Sequence, residues 1–191
     1  MMTNLEAANR ALALLGTAPI ASLSDDIQAA RVTNRLFETS RKSVLSEFPW
    51  AFAIRLLQLV QNTTAATKGW SFAYNRPSNS VAIWRLFTST QEQIQFQAEQ
   101  SYIYSNASDA WAEYSVDVAF TGWDDASQEA LVNRLAADCA VTLTGSEQMS
   151  QALMQKYMAL GQIAKRNTRN ERDIGQKISG TYLWVRRPGV R

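Results

Sequence analysis

The spacing of apolar residues changes twice along this chain, and that double change constrains the fold more than any other feature. Up to Pro49 apolar side chains recur every three to four residues, from Trp50 to Trp123 they alternate, and after Asp124 the helical spacing returns. Leu5, Ala8, Leu12 and Leu15 form the first stripe, with Thr3 and Glu6 placed as a capping box and Gly16 as its C′ stop. A second helix is predicted to start with Ser24 as its cap and Asp25 and Asp26 in its first turn. It runs through Ile27, Leu36, Phe37, Val44, Leu45 and Phe48 to Pro49.

The middle segment reads as short strands. Trp50-Ala-Phe52-Ala-Ile54, Trp70-Ser-Phe72-Ala-Tyr74, Val81-Ala-Ile83, Ile94-Gln-Phe96, Ile103 and Tyr114-Ser-Val116-Asp-Val118-Ala-Phe120 alternate as half-buried strands do. Fourteen of the 19 aromatic residues fall in residues 50–123, which favours an antiparallel β unit with its own core over an irregular excursion. Beyond Asp124 and Asp125 a third helix carries Ala130, Leu131, Leu135, Ala136, Cys139 and Leu143 on one stripe until Gly145. Ser146 then caps a fourth, striped by Met149, Leu153, Tyr157, Leu160 and Ala164. The last stretch has interior glycines, a Pro-Gly end and the cluster Tyr182-Leu183-Trp184-Val185, a composition read as an arm. The expected fold is α+β: a four-helix bundle from residues 1–49 and 124–174, an antiparallel β insertion (residues 50–123) between helices 2 and 3, and an extended C-terminal docking arm, residues 175–191.

Composition narrows the chemistry. At 191 residues the chain can bury a substantial core, and with 46% hydrophobic and 19% charged residues and no apolar run near the ~20 residues of a bilayer span, a soluble globular chain without membrane contact is expected. Glu6 and Arg10 within residues 1–16 argue against a signal segment, hence for a chain made in, and staying in, the cytoplasm. The absence of histidine and the single Cys139 exclude, within one chain, a disulfide framework, zinc-finger spacing, a Cys/His dyad and a Ser/His/Asp triad. No Gly-Lys-Ser/Thr phosphate loop is present. Nothing in the pattern calls for a metal or another cofactor.

Paired carboxylates are the one catalytic constellation left. Asp124 with Asp125, or Glu113 with Asp117, have the chemistry of a glycosidase acid and base, although a helix cap and a polar strand face explain the same residues. Cys139, on an apolar stripe, reads as a buried inert thiol. Charge is divided more sharply than the net +2 suggests: residues 1–154 hold 10 Lys and Arg against 15 Asp and Glu, whereas residues 155–191 hold 9 against 2. A basic end on an acidic body points to docking on an acidic partner. Tyr182, Leu183, Trp184 and Val185 flanked by Arg186 and Arg187 have the make-up of a protein-docking hot spot, a reading favoured over nucleic-acid stacking.

Several runs, in order, resemble a known family. They are Ala8-Asn9-Arg10-Ala11-Leu12-Ala13-Leu14-Leu15-Gly16; Pro19-Ile20, Ser22-Leu23 and Asp25; Phe48-Pro49-Trp50-Ala51-Phe52-Ala53; Gly69-Trp70-Ser71-Phe72-Ala73-Tyr74 with Pro77; and Ala130-Leu131 through Leu135-Ala136-Ala137 to Leu143-Thr144-Gly145, followed by Tyr157 and Leu160. Together they are similar to the head-to-tail adaptors of tailed phages, the tail tubular protein A family. The resemblance implies a non-enzymatic structural protein of the virion tail, made in the host cytoplasm. It implies a homo-oligomer, a dodecameric ring between the portal protein and the tail nozzle protein, with double-stranded DNA passing through the lumen without specific binding. It also implies that the C-terminal segment grips the portal, which gives Tyr182, Leu183, Trp184, Val185, Arg186 and Arg187 a partner-binding role. A body of net −5 suits a lumen that does not hold phosphates. The alternative class is a tail-associated cell-wall or polysaccharide hydrolase using the carboxylates named above; a third is a DNA-binding module using the basic arm.

Overall fold

The computed structural model describes the backbone of residues 2–185 and the side chains of residues 2–171. Its helices are α1 (Asn4–Leu14), α2 (Gln28–Glu47), α3 (Asp125–Thr144) and α4 (Glu147–Val185). Its strands are β1 (Ile54–Gln58), β2 (Phe72–Asn75), β3 (Ser80–Phe87), β4 (Gln93–Ile94), β5 (Phe96–Ala98), β6 (Tyr102–Ser105) and β7 (Trp111–Val116), with one 3₁₀ turn at Phe120–Gly122. The chain divides into two compact units, Met1–Ser40 with Phe120–Arg191, and Arg41–Ala119. The boundaries fall inside α2 and just before the 3₁₀ turn, where the sequence placed them at Pro49 and Asp124. Among the described residues no helix is long and apolar enough to cross a membrane.

The expected four-helix bundle with a small insertion is corrected. The molecule is an α+β fold in which four helices accompany two antiparallel sheets of seven strands. In the helical unit α3 is the central element rather than one of four equal staves. Ser127, Leu131, Val132, Asn133, Ala136 and Ala140, which point in different directions around the helix, are all buried, so α3 has no single apolar stripe. At 11 residues α1 is about 17 Å long, against about 58 Å for the 39 residues of α4, so the helices cannot pair along matched lengths. Phe37 of α2 meets Phe120 edge-on at 5.8 Å, and Ser40 donates to Asp138 of α3 at 2.6 Å.

The expected extended arm is corrected as well, since α4 remains helical to Val185. Two glycines, Gly175 and Gly180, cost roughly 1 kcal/mol each in a helix, too little to end one already propagating through many turns. The expected start of helix 2 at Ser24 also fails. The Asp25 carboxylate accepts from the N–H groups of Ala21 and Ser22 at 3.0 and 2.9 Å, which stabilises a turn there, and the helix begins only at Gln28.

In the β unit the sheets have orders β1-β7-β3-β4 and β2-β6-β5. They share chain at both sides. Gln93–Ile94 pairs with β3, and one residue later Phe96–Ala98 pairs with β6. Beyond β1, Gln61 bridges to Tyr74 of β2, with Asn75 N–H donating to the Val60 carbonyl at 2.9 Å and Asn62 N–H to the Ala73 carbonyl at 2.8 Å. The two sheets thus wrap into a small, incompletely closed barrel. Its interior holds Leu59, Tyr74, Leu86, Ile103, Ala112 and Tyr114, drawn from five strands or their extensions.

Candidate functional site

The carboxylates proposed as catalysts are each committed to structure. Asp124 caps α3, its two oxygens accepting from the Ser127 N–H at 2.9 Å and the Ser127 hydroxyl at 2.8 Å. Asp125 follows it, exposed, in the first turn, where its charge complements the helix dipole. Glu113 faces Arg85 across the β3–β7 ladder and takes both of its oxygens to that guanidinium at 2.9 Å. Asp117, just past β7, accepts from Arg41 at 2.6 Å, and that guanidinium holds the Asp117 carboxyl below the usual carboxylate range. Two carboxylates of one segment therefore answer to two different cations.

Cys139 is buried, and the loss of solvation pushes its thiol up to about 11 despite a hydrogen bond with Thr33, so it is not a nucleophile at neutral pH. Among the described residues no group of three His, Cys, Asp or Glu could hold a metal ion. Tyr182, Leu183, Trp184 and Val185 lie on the backbone of α4 with their side chains outside the described set; Arg186 and Arg187 lie outside the described residues altogether.

Sequence reasoning did not anticipate a groove of about 740 Å³ between α1 and the start of α3, lined among others by Glu6, Arg10, Asp125, Gln128 and Glu129. Arg10 and Glu129 pair across it at 3.2 Å. Only the tertiary meeting of α1 and α3 creates it. Gln128, buried beneath, is committed to the carbonyls of Phe120 and Trp123.

Several residues of the runs quoted above fix turns, while others, such as Leu12, Leu131 and Leu135, are buried core. Asn9 reaches from α1 to both backbone groups of Ile20, donating to its carbonyl at 3.0 Å and accepting from its N–H at 2.8 Å. Trp50, 1% exposed, donates its indole N–H to the Val44 carbonyl at 2.8 Å and sits between Phe48 and Phe52, which closes the end of α2. Ser71 is tied to Asn106, and the Tyr74 hydroxyl donates to the Ala107 carbonyl, pinning the β6–β7 loop to β2. Gly16, Gly69 and Gly145, at φ of 69°, 89° and 71°, are the described glycines in the left-handed region, and all three belong to the runs quoted above.

In α4 the register against α3 follows from Ser150 donating to the Ala137 carbonyl at 2.9 Å and from Arg134 standing 5.5 Å over the Tyr157 ring. Counting back along this antiparallel pair puts Asp125 level with residue 164 or so, so the last 21 residues to Val185 continue about 31 Å past the start of α3. No protein-family model matches this chain, and no curated protein matches it.

Proposed function

We propose that this chain is a structural head-to-tail adaptor of a tailed phage: a subunit of a ring between portal and tail nozzle through which DNA passes. The observation that carries the reading is the ordered set of family-like runs, some of whose residues set turns of this fold: the Asn9–Ile20 clasp, the Phe48–Pro49–Trp50 stop and three left-handed glycines. The length of α4 supports it too, because the helix runs on to Val185 and carries the backbone of Tyr182–Val185 well past the level of the start of α3. In this reading Tyr182, Leu183, Trp184, Val185, Arg186 and Arg187 grip the portal, and the subunit assembles twelve-fold in the virion tail. The carboxylates of the hydrolase alternative serve as a helix cap and as partners of Arg41 and Arg85, so no observation favours that reading.

The test is size-exclusion with light scattering on the purified chain, alone and with portal. A ring-sized oligomer or a stable portal complex is expected. Trp184→Ala with Arg186→Glu and Arg187→Glu should abolish the complex and leave thermal unfolding nearly unchanged. A chain that stays monomeric and ignores portal overturns the proposal.

A further inference from the structure

The barrel of the β unit lacks part of its wall at β1. On one side β1 pairs with β7, and the bonds from Leu59 N–H to the Ala110 carbonyl and from Val116 N–H to the Ala53 carbonyl set the alternation: residues 55, 57 and 59 turn their backbone groups to β7. The opposite edge meets β2 only from Val60 onward, because β2 ends at Asn75 and Pro77 soon follows. The backbone N–H and C=O of Leu56 and Gln58 therefore face outward with no strand beside them among the described residues. The side chains agree. Leu57 shares a face with buried Ala112 yet is 45% exposed; Leu56 and Val60 are 60% and 70% exposed. Arg55 is the one charged residue of β1, and none follows it from Leu56 to Asn62; charge is the device by which an edge strand ordinarily resists pairing.

We infer that β1 is the docking site for a second copy of this chain, β1 against β1, antiparallel about a two-fold axis at Leu56. Outward-facing peptide groups in this spacing are matched by another extended backbone, and the strand is its own complement. An axis at Leu56 sets residues 54–58 against residues 58–54 of the copy, the five positions that β2 leaves uncovered. Leu56 of each copy donates to the Leu56 carbonyl of the other. Each Gln58 N–H donates to the other copy's Ile54 carbonyl, to which Arg55 also donates; the Ile54 N–H is already given to the Trp50 carbonyl. Arg55 then stands opposite Leu57 of the copy, whereas a parallel alignment would set Arg55 beside Arg55. Moving the axis to Leu57 would bring the copy's Ile54 onto Val60, whose carbonyl Asn75 occupies. A five-residue strand pair buries less than the roughly 1,000 Å² of a stable interface, so the dimer is weak and concentration-dependent. A two-fold contact closes at two copies and stands independently of the ring proposed above.

Leu56→Cys and Met158→Cys provide a matched pair, since both residues are 60% exposed and buried Cys139 contributes little thiolate. Under oxidised glutathione, at about 100 µM protein to populate a weak contact, Leu56→Cys should accumulate disulfide-linked dimer and Met158→Cys only background. Adding Leu57→Lys to Leu56→Cys should suppress the dimer while thermal unfolding stays unchanged, because each new ammonium faces Arg55 of the copy. Equal cross-linking at positions 56 and 158 overturns the inference. So does a wild-type chain that sediments as a monomer at concentrations approaching 1 mM, or slowed amide exchange at Leu56 and Gln58 that appears only when portal or nozzle protein is added, which would assign the edge to that partner.

Discussion

Asn133 sits at 0% exposure in the middle of α3; its amide N–H₂ donates to the Glu129 carbonyl at 2.9 Å, while its Oδ1 is buried with no hydrogen-bond partner. An acceptor stripped of water and given no donor costs about 1–3 kcal/mol, and an apolar side chain of the same branching removes that cost, offset in part by the larger volume it must pack. Asn133→Leu is therefore expected to stabilise the chain by about 1 kcal/mol, raising the melting temperature by about 2–4 °C in a circular-dichroism melt. A fall of that size would instead show that the Asn133 side chain is needed to align α3 with its neighbours. Cys139 has the opposite character, being buried without conflict. With its thiol at about 11, only about one part in a thousand is thiolate at pH 8, so a chromogenic disulfide reagent should leave it unmodified in native protein and titrate one thiol per chain in denaturant. The inertness of Cys139 was legible from the apolar residues at helical spacing around it in the sequence, although α3 is buried on more than the one side that spacing implied. The orphaned oxygen of Asn133 was not, because it depends on which groups the tertiary fold brings to that point.

Helix ends were legible where a single side chain decides them. Thr3 and Glu6 make the expected capping box, Asp124 caps α3, Ser146 accepts from Met149 N–H at 3.2 Å, and Gly145 closes α3 at φ 71°. Asp124→Ala should accordingly cost about 1 kcal/mol, since it strands the Ser127 N–H, while Asp125→Asn, exposed and uncommitted to a cap, should cost only a few tenths. Chemical denaturation of the two variants checks this, and equal losses would contradict the capping assignment. Strands were harder to read because alternation says which side chains are buried, not where pairing begins. Trp50-Ala-Phe52-Ala alternates yet forms a turn, with both Ala53 and Ile54 donating to the Trp50 carbonyl, and β1 starts only at Ile54. Conversely Leu56-Leu57 breaks alternation and still lies in a strand, because an edge with part of its wall missing buries neither face. The far end of α4 escaped the reading for an energetic reason: glycine was weighed as a stop, although inside a long helix it is only a modest cost.

At the level of the whole chain, two cores and their boundary follow from contacts that no local pattern encodes. The change of period placed the β unit from Trp50, yet the unit extends back to Arg41, because Val44 and Leu45, both at 0% exposure, and the Trp50 indole that bonds to Val44 belong to it. Arg41 ties the two ends of this unit together. Its guanidinium, 7% exposed, donates to the Asp117 carboxylate at 2.6 Å and to the Val118 carbonyl at 2.7 Å, joining the first residue of the unit to its last turn. Because Arg41 holds the Asp117 carboxyl below its ordinary value, this pair contributes stability that is fully present above the unfolded carboxylate pKa of about 3.9 and is lost as pH falls through the lower folded value. Breaking a buried pair costs about 3–5 kcal/mol, and since Asp117 is itself 38% exposed a loss nearer 2 kcal/mol is expected for Asp117→Asn. Calorimetry of wild type and Asp117→Asn between pH 7 and pH 3 should show a gap in melting temperature that is constant down to about pH 5 and narrows below about pH 4, as the wild-type carboxylate protonates and comes to resemble the amide. Arg41→Ala, which also abandons the Val118 carbonyl, should destabilise at every pH. If the two proteins melt together at neutral pH, the Arg41 contact is incidental and the ends of the β unit are held by Trp50 and its neighbours alone.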